Sequence, residues 1–309
     1  MASPELEVLK QVLRSQPRAL DVSIEQGRQA FEASAELFAS RYPLPGDVSL
    51  EPVDAGGVPG AWISTAAEEP GRILYYLHGG AYVLGSIRSH RGIIARLALT
   101  ARARVLAVDY RLAPECPFPA AVEDAVKAYG WLLSTGVEPG GVAFAGDSAG
   151  GGLVVATLLA LRDAGTPLPA AAVCLSPWLD LEGRSRSLYA HRDSDPALVP
   201  EELLQCARSY LGDADPRHPL ATPLHGDLAG LPPLLLQVGA AELLLDDSTR
   251  LAELARSAGV DVSLEVWEEM FHAWHLFAPV LPEAQQALER VGSFIRDHTP
   301  WLSTGASGP

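Results

Sequence analysis

The sequence predicts an α/β fold in which a mostly parallel central sheet is flanked by helices and carries a small helical cap. Two observations lead to this prediction. From about residue 72 onward, short apolar runs alternate with longer segments of helical periodicity. The apolar runs are nearly continuous, which is typical of strands buried on both faces of a parallel sheet. We therefore expect one large sheet domain at residues 46–309.

The elements follow in chain order. Residues 48–53 and 57–64 resemble an antiparallel hairpin that leads into the sheet. The strand candidates after it are rich in Val, Leu, Ile and Tyr, and they lie at residues 72–78, 103–109, 141–147, 170–176, 233–239 and 260–267. Helices are predicted at residues 86–101, 120–134, 149–164, 247–258 and 282–298. A short Gly/Ser tail at residues 303–309 is expected to be disordered.

Two segments depart from the alternation of strands and helices. Residues 4–38 carry amphipathic helical patterns, and residues 184–211 lie between two core strands and include a helix candidate at 200–210. The apolar side of the first pattern holds Leu6, Leu9, Val12 and Leu13. An insertion at the second place lies above the carboxyl ends of the strands, where ligands bind in open α/β sheets. We predict a helical cap made of residues 1–45 and of an insertion at about 184–211.

The composition excludes several classes of protein. A net charge of −15 and a pI near 4.9 disfavour nucleic acid and anionic lipid as partners, although the charge could equally serve solubility alone. Cys116, Cys174 and Cys206 lie far apart, so neither a disulfide framework nor a zinc site is expected. The N-terminus has no signal-peptide pattern, and apolar runs fall short of the roughly 18 residues that span a bilayer. We expect a cytoplasmic protein without stable membrane association.

The strongest chemical signal is Gly146-Asp-Ser148-Ala-Gly150, which matches G-x-S-x-G. It follows an apolar strand and precedes a helix, which is the context of a nucleophile elbow. Small residues must flank the serine at so sharp a turn, and the two glycines meet this need. Ser148 would then project its hydroxyl from the start of a helix, whose dipole favours developing negative charge. The pentapeptide alone could also be a plain glycine-rich turn, but its context favours a nucleophile.

A second signal is His78-Gly-Gly-Ala81, directly after a predicted strand. Acyl transfer requires N–H donors that stabilise the oxyanion of a tetrahedral intermediate. Adjacent glycines let the backbone approach a substrate closely, because they have no Cβ. We expect donors from Gly79, Gly80 and Ala149, with a plain loop turn as the alternative.

These motifs resemble those of the bacterial hormone-sensitive-lipase-like esterases, and the likeness extends from about residue 70 to the C-terminus. Asp109-Tyr-Arg-Leu-Ala-Pro-Glu115, with Phe118-Pro-Ala120 and Asp124, is similar to a long signature of that family. Ser176-Pro-Trp-Leu-Asp180 resembles another of its segments. One departure is Ala81, where many members have a third glycine. The resemblance implies an α/β-hydrolase fold and a serine esterase that needs no metal or organic cofactor.

The base should follow the acid, because the triad order along this fold is serine, acid, histidine. Of the eight histidines, only His272 and His275 lie on the loop after the strand at 260–267. Met270-Phe-His272-Ala resembles the family's histidine loop, which gives His272 the role of base and leaves His275 to packing. A His-x-x-His pair could also bind metal, but no cluster of Cys or Glu completes such a site.

The acid is less clearly defined. After the strand at 233–239 comes Glu242, where the family usually has aspartate, followed by Leu243 instead of proline. Glu242 precedes His272 by thirty residues (272 − 242), the separation usual in the family. Glutamate can serve in this fold. Asp246 matches a downstream carboxylate of the pattern and is the alternative acid. Asp147 should point away from Ser148 and brace the surrounding loops, and Arg111 and Glu115 are expected to form a structural pair.

The predicted function is hydrolysis of carboxylic esters through an acyl-enzyme, and the family resemblance implies small esters with short acyl chains. Phe271, Trp274 and Phe277 could line the substrate pocket or could pack between cap and core. One alternative is an amidase, lactonase or deacetylase of a specialised metabolite, since these share acyl-enzyme chemistry. Another is a catalytically silent ligand receptor on the same fold. The family resemblance also implies a homodimer through the edge strand at 260–267, with a helix that covers that edge as the alternative.

Overall fold

One sheet forms the centre of the computed structural model, which describes residues 3–15, 23–44 and 47–300 and so leaves the predicted tail at 303–309 outside the described residues. Its strands are β1 (Ser49–Asp54), β2 (Pro59–Ser64), β3 (Ile73–Leu77), β4 (Arg104–Val108), β5 (Val142–Asp147), β6 (Ala171–Leu175), β7 (Leu234–Gly239) and β8 (Val262–Trp267). They lie in the order β1-β2-β4-β3-β5-β6-β7-β8. The β1–β2 and β2–β4 pairs are antiparallel and all other pairs are parallel, which confirms the predicted mostly parallel sheet.

Helices connect and cover the strands. They are α1 (Pro4–Arg14), α2 (Ile24–Arg41), α3 (Ile87–Ala101), α4 (Ala120–Ser134), α5 (Ala149–Asp163), α6 (Ser187–Ala190), α7 (Pro200–Leu211), α8 (Leu245–Ser257) and α9 (Pro282–His298). Proline in the first turn begins α1, α7 and α9, because its missing N–H is not needed there. Ser23 and Ser86 begin α2 and α3 with reciprocal capping boxes.

The core has two layers, one on each face of the sheet. Side chains alternate along β3: Tyr75 and Leu77 join the cluster that includes residues of α4, α5 and α8, whereas Leu74 and Tyr76 join the cluster of α3 and α9. All four side chains are fully buried. This two-sided burial explains why the strands are almost continuously apolar in sequence.

Within the described residues, the first segment predicted as a cap contains α1 and α2 and the second contains α6 and α7; their assignment to one cap stays a prediction. Helix α1 docks on α9, where the backbone N–H and the hydroxyl of Ser3 donate to the carboxylate of Glu283. Leu6 is fully buried in this contact, but Val12 is exposed. The expected placement of Val12 on the apolar side is therefore wrong, because Val12 lies on the exposed side of α1 together with Val8, one turn before it. We call residues 184–211, which include α6 and α7, the cap insertion.

The length and hydropathy of the helices also bear on membrane contact. Across residues 3–15, 23–44 and 47–300, no helix is long and apolar enough to cross a bilayer.

Candidate active site

A strained turn places Ser148 between β5 and α5. Its φ of 53° lies in the left-handed region, which is costly for a residue with a side chain. The turn is possible because its neighbours are small: a Cβ at Gly146 would collide with the carbonyl oxygen of Gly150, and one at Gly150 with that of Leu77. The backbone N–H of Ser148 donates to the carbonyl of Leu175 at 2.8 Å, which ties the turn to β6. The serine hydroxyl thus stands at the N-terminus of α5.

His272 lies beside this hydroxyl, on the loop that follows β8. Its Nε2 is 2.9 Å from Ser148 Oγ, and both side chains are buried. Burial lowers the pKa of His272, but the nearby carboxylate of Glu242, aided by other acidic groups, outweighs burial and raises that pKa above its ordinary value of 6.5. A neutral imidazole at this place can accept the serine proton.

Glu242 lies behind His272 and is fully buried. Its Oε2 accepts hydrogen bonds from Ser176 Oγ at 2.8 Å and from the backbone N–H of Gly239 at 3.0 Å. Its Oε1 is 3.7 Å from His272 Nδ1. Neither of these two facing atoms has a hydrogen-bond partner among the described residues. The three side chains expected from the sequence are therefore brought together in the order Glu242, His272, Ser148.

Asp246, the alternative acid, is engaged elsewhere. It lies in the first turn of α8, and its Oδ2 accepts a hydrogen bond from the backbone N–H of Ser187 in the cap insertion at 3.0 Å. The hydroxyl of Ser187 in turn accepts from the Asp246 N–H at 3.0 Å. Asp246 thus caps α6, and it forms no hydrogen bond or ion pair with His272 in the described part of the chain.

The loop after β3 brings its amide groups toward the turn at Ser148. One of the three oxyanion donors expected from the sequence is wrong. The N–H of Gly79 donates to Asp147 Oδ1 at 3.0 Å, so this N–H is not available to a substrate. The N–H groups of Gly80 and Ala81 donate to no acceptor within the described residues. Gly80 has a φ of 119°, which glycine alone tolerates, and Ala81 follows with a φ of 52°. The sequence could not show which amide the buried carboxylate engages.

Asp147 does brace these loops, as expected. Its Oδ1 also accepts from the hydroxyl of Tyr76 at 2.5 Å, and its Oδ2 is 3.4 Å from His90 Nε2. Burial raises the pKa of Asp147, but the charge and hydrogen bond of His90 and the hydroxyl of Tyr76 outweigh burial and lower that pKa to about 2. Burial likewise opposes protonation of His90, yet Asp147 raises its pKa above 6.5. A buried ion pair thus lies directly behind Ser148.

The site holds two positioning groups that were not predicted from the sequence, Ser176 and His90, and one predicted ion pair is wrong. Ser176 Oγ donates to Glu242 and accepts from the N–H of Ala273 at 3.2 Å, and the Ser176-Pro-Trp motif was a signal for it. His90 carried no motif. The predicted Arg111–Glu115 pair is wrong: Arg111 pairs with Asp124 and Glu123, and Glu115 pairs with Arg28 of α2. The two hydrogen bonds from Arg28 to Glu115 join residues that are 87 positions apart in the sequence.

His275 points away from the site and is fully buried. Its Nε2 pairs with Gln237 Oε1 at 3.0 Å, and burial lowers its pKa to about 3. No group of three or more potential metal ligands occurs within residues 3–15, 23–44 and 47–300.

The chain is similar to several known proteins. A family model described as the α/β hydrolase fold matches residues 74–276. The chain is 50% identical over 299 residues to an acetyl-hydrolase of Streptomyces hygroscopicus, covering 97% of this chain and 98% of that one. It is 36% identical to the putative acetyl-hydrolase LipR of Mycobacterium tuberculosis, covering 94% of each chain.

Solved structures give the same result. A bacterial esterase described as belonging to the hormone-sensitive lipase family superposes with a TM-score of 0.92 and 47% identity, covering 97% of this chain and 99% of that one. The esterase EstE5 in a PMSF form has a TM-score of 0.91 and 42% identity, with 96% and 99% covered. The chain belongs to the α/β-hydrolase fold family. Within it, the chain is a carboxylesterase of the bacterial hormone-sensitive lipase group.

Proposed function

We propose that this carboxylesterase cleaves small esters with short acyl chains through an acyl-enzyme on Ser148, with His272 as base and Glu242 as acid. The observation that carries the proposal is the 2.9 Å distance between Ser148 Oγ and His272 Nε2 at a strained strand–helix turn. A nucleophile within hydrogen-bond reach of a base, which is in turn oriented by a carboxylate, is the arrangement that activates a serine.

In acylation, Ser148 Oγ attacks the ester carbonyl while His272 Nε2 takes the hydroxyl proton. The tetrahedral intermediate collapses as the bond from the carbonyl carbon to the alkoxy oxygen breaks, and His272 returns the proton to the leaving alcohol. Glu242 holds the Nδ1–H tautomer of His272 and stabilises the imidazolium that forms in between.

In deacylation, water replaces the alcohol. His272 removes a proton from water as its oxygen attacks the acyl carbon, and the bond to Ser148 Oγ breaks. The proton then passes to Ser148 Oγ, so that the carboxylic acid is released and the enzyme is restored.

The donors for the oxyanion are best taken as Gly80, Ala81 and Ala149. The amides of Gly80 and Ala81 have no acceptor in the described structure, and Ala149 provides the first N–H of α5, beside Ser148. Gly79 is left out of this set because its amide serves Asp147.

The short acyl chain is supported by two observations. The 50% identical relative from Streptomyces hygroscopicus is named as an acetyl-hydrolase. Ser148 and His272 are only 7% and 6% exposed, which favours small substrates over bulky ones. The cytoplasmic location and the homodimer through β8 stay predictions.

A series of p-nitrophenyl esters from acetyl to palmitoyl tests the proposal. We expect kcat/KM to be highest for acetyl and butyryl esters and to fall steeply for longer chains. Ser148→Ala should lose nearly all activity and should fail to be labelled by an organophosphate that adds one phosphoryl group to the wild type. Highest activity on palmitoyl esters would contradict the substrate class, and unchanged activity of Ser148→Ala would contradict the nucleophile.

A matched pair of acetyl substrates separates the alternative functions. The p-nitroanilide and the p-nitrophenyl ester differ only in the atom that joins the leaving group to the acetyl carbon, which is nitrogen in the anilide and oxygen in the ester. Faster cleavage of the anilide would therefore indicate an amidase. A wild type that is folded but cleaves neither, and that resists the organophosphate, would indicate a ligand receptor.

A further inference from the structure

A second buried carboxylate lies close to the catalytic groups and has no part in the mechanism above. Asp195 belongs to the cap insertion, between α6 and α7, and its side chain is 2% exposed. Its Oδ2 accepts a hydrogen bond from the backbone N–H of Leu243 at 3.0 Å. Leu243 directly follows Glu242, so the cap insertion reaches the acid through a single peptide unit.

This bond is one of several between the cap insertion and the acid loop, which we define as residues 239–246. The hydroxyl of Ser194 donates to the carbonyl of Ala241 at 3.0 Å. The hydroxyl of Ser187 donates to the carbonyl of Leu243 at 2.7 Å. Together with Asp195, these groups bond the backbone on both sides of Glu242. The cap insertion therefore holds the backbone of the acid loop, while Ser176 Oγ and the N–H of Gly239 hold the carboxylate of Glu242.

Asp195 differs from the two serines because it carries a charge. Its other oxygen, Oδ1, accepts from the N–H of Ala197 at 2.9 Å, and none of the ion pairs within the described ranges includes it. A neutral asparagine could accept only one of these two N–H bonds, whereas the carboxylate accepts both at the cost of burying its charge. The positive charge of His272 offsets part of this cost, because it favours the ionised form of Asp195.

We propose that Asp195 is a positioning residue of this esterase: it fixes the acid loop through Leu243 and adds a second negative charge that favours the imidazolium form of His272. This inference rests on the proposed function, because it requires His272 to be the base. Glu242 then has a neighbour that shares its electrostatic task. The chain thereby compensates for the 3.7 Å separation between Glu242 Oε1 and His272 Nδ1.

The ionisation of the surrounding groups agrees with this role. Burial is the main cause that raises the pKa of Asp195 to about 6. The positive charge of His272 lowers this pKa, and the negative charge of Glu242 raises it further. Asp195 in turn raises the pKa of His272, with a smaller effect than Glu242 and a larger effect than Asp147. The titratable groups facing this pair are Glu242, Asp147 and His275.

The pH dependence of kcat/KM for p-nitrophenyl acetate tests the inference in the full-length enzyme. Asp195→Asn keeps the size and one acceptor but removes the charge. Ser194→Ala is the matched control, because it removes a bond from the same stretch to the acid loop without changing any charge. Asp195→Ser is a second neutral variant in case the asparagine variant does not fold, and thermal unfolding verifies the fold of each.

We expect the acid-limb pKa to fall by about 0.5–1 unit in Asp195→Asn, because a nearby anion no longer favours the charged imidazole. Above that pKa, kcat/KM should fall roughly 3- to 10-fold through kcat, with KM changed less than about twofold. The ratio of wild-type to variant activity should shrink as the pH is lowered. Ser194→Ala should keep the wild-type acid limb.

An acid limb that is the same in Asp195→Asn, Ser194→Ala and wild type would overturn the inference and make Asp195 a purely structural acceptor. That result leaves the proposed function intact as long as the wild type hydrolyses the ester and is labelled at Ser148. A wild type without hydrolysis or labelling would instead contradict the proposed function, and the role of Asp195 would fall with it.

Discussion

The carboxylate of Glu242 and the imidazole of His272 face each other at 3.7 Å between Oε1 and Nδ1, and neither atom has another hydrogen-bond partner in the described chain. Two buried polar atoms without partners are costly unless they serve each other. A shortening of about 0.8–1 Å would turn this approach into a charge-assisted hydrogen bond of about 2.7–2.9 Å. The pair is therefore poised to tighten when His272 becomes positively charged, as happens while Ser148 is attacking.

Removing the charge of Glu242 should reveal this dependence. We expect Glu242→Gln to lower kcat by roughly 10³- to 10⁴-fold, because the amide neither stabilises the imidazolium nor selects the correct tautomer. Asp246→Asn is the matched control, since Asp246 caps α6 and lies away from His272. It should cost less than about tenfold in kcat. A larger loss for Asp246→Asn than for Glu242→Gln, measured on p-nitrophenyl acetate, would reverse the assignment of the acid.

The loop of the oxyanion donors depends on a glycine. A Cβ at Gly80 would collide with the carbonyl of Leu84, and its φ of 119° is strained for any other residue. Because the amides of this loop would move, we expect Gly80→Ala to lower kcat by about 10²- to 10³-fold.

Gly130 provides the control for this substitution. It lies exposed in α4, where a Cβ would meet nothing within 4 Å. Gly130→Ala should leave kcat unchanged and raise the free energy of unfolding by about 0.5–1 kcal/mol. Equal kinetics for the two variants would refute the role of the Gly80 loop.

The buried pair of Asp147 and His90 should give a defined pH dependence of stability. The pKa of Asp147 is lowered from 3.8 to about 2, so its contribution is present above pH 3.8 and is lost as the pH falls toward 2. The pKa of His90 is raised above 6.5, so its contribution is full below pH 6.5 and is lost as the pH rises through the raised pKa. The pair therefore stabilises most between about pH 4 and 6.5.

Urea unfolding of His90→Gln and Asp147→Asn would measure this contribution. Each single variant should lose about 3–5 kcal/mol near pH 5.5, because a charge is left buried without its partner. The double variant should lose less than the sum of the two. Losses that simply add, or that do not vary with pH, would show that the two groups act independently.

The anchoring of α2 can be tested at Arg28. Its guanidinium donates to the carbonyls of Val83 and Ala113, at 2.6 and 2.7 Å, as well as to Glu115. We expect Arg28→Ala to lower the free energy of unfolding by about 1–3 kcal/mol, since hydrogen bonds from a charged donor are lost. Arg88→Ala removes only an exposed ion pair with Glu36 and should have little effect. Equal stability of the two variants in urea would contradict an anchor at Arg28.

The sequence predicted those features that depend on local pattern. The bounds of α9 and the start of α7 follow from proline and apolar periodicity, and the elbow follows from two glycines that must flank Ser148. The features that it did not predict depend on contacts between distant segments. Nothing near Glu115 indicates that its partner is Arg28, and nothing near Gly79 indicates that Asp147 takes its amide. Val12 was misplaced for a similar reason, because a helix pattern does not say how much of the helix the core covers.

The bonds between the cap insertion and the acid loop bear on how such enzymes can be re-engineered. Exchanging caps between relatives is an obvious route to new substrate preferences, if the cap is regarded as a separable module. Here the bonds of Ser187, Ser194 and Asp195 cross that module boundary. A chimera that receives a foreign cap but keeps its own acid loop would lose these hydrogen bonds, and its turnover would fall. Residues 184–211 and 239–246 should be transplanted together as one unit.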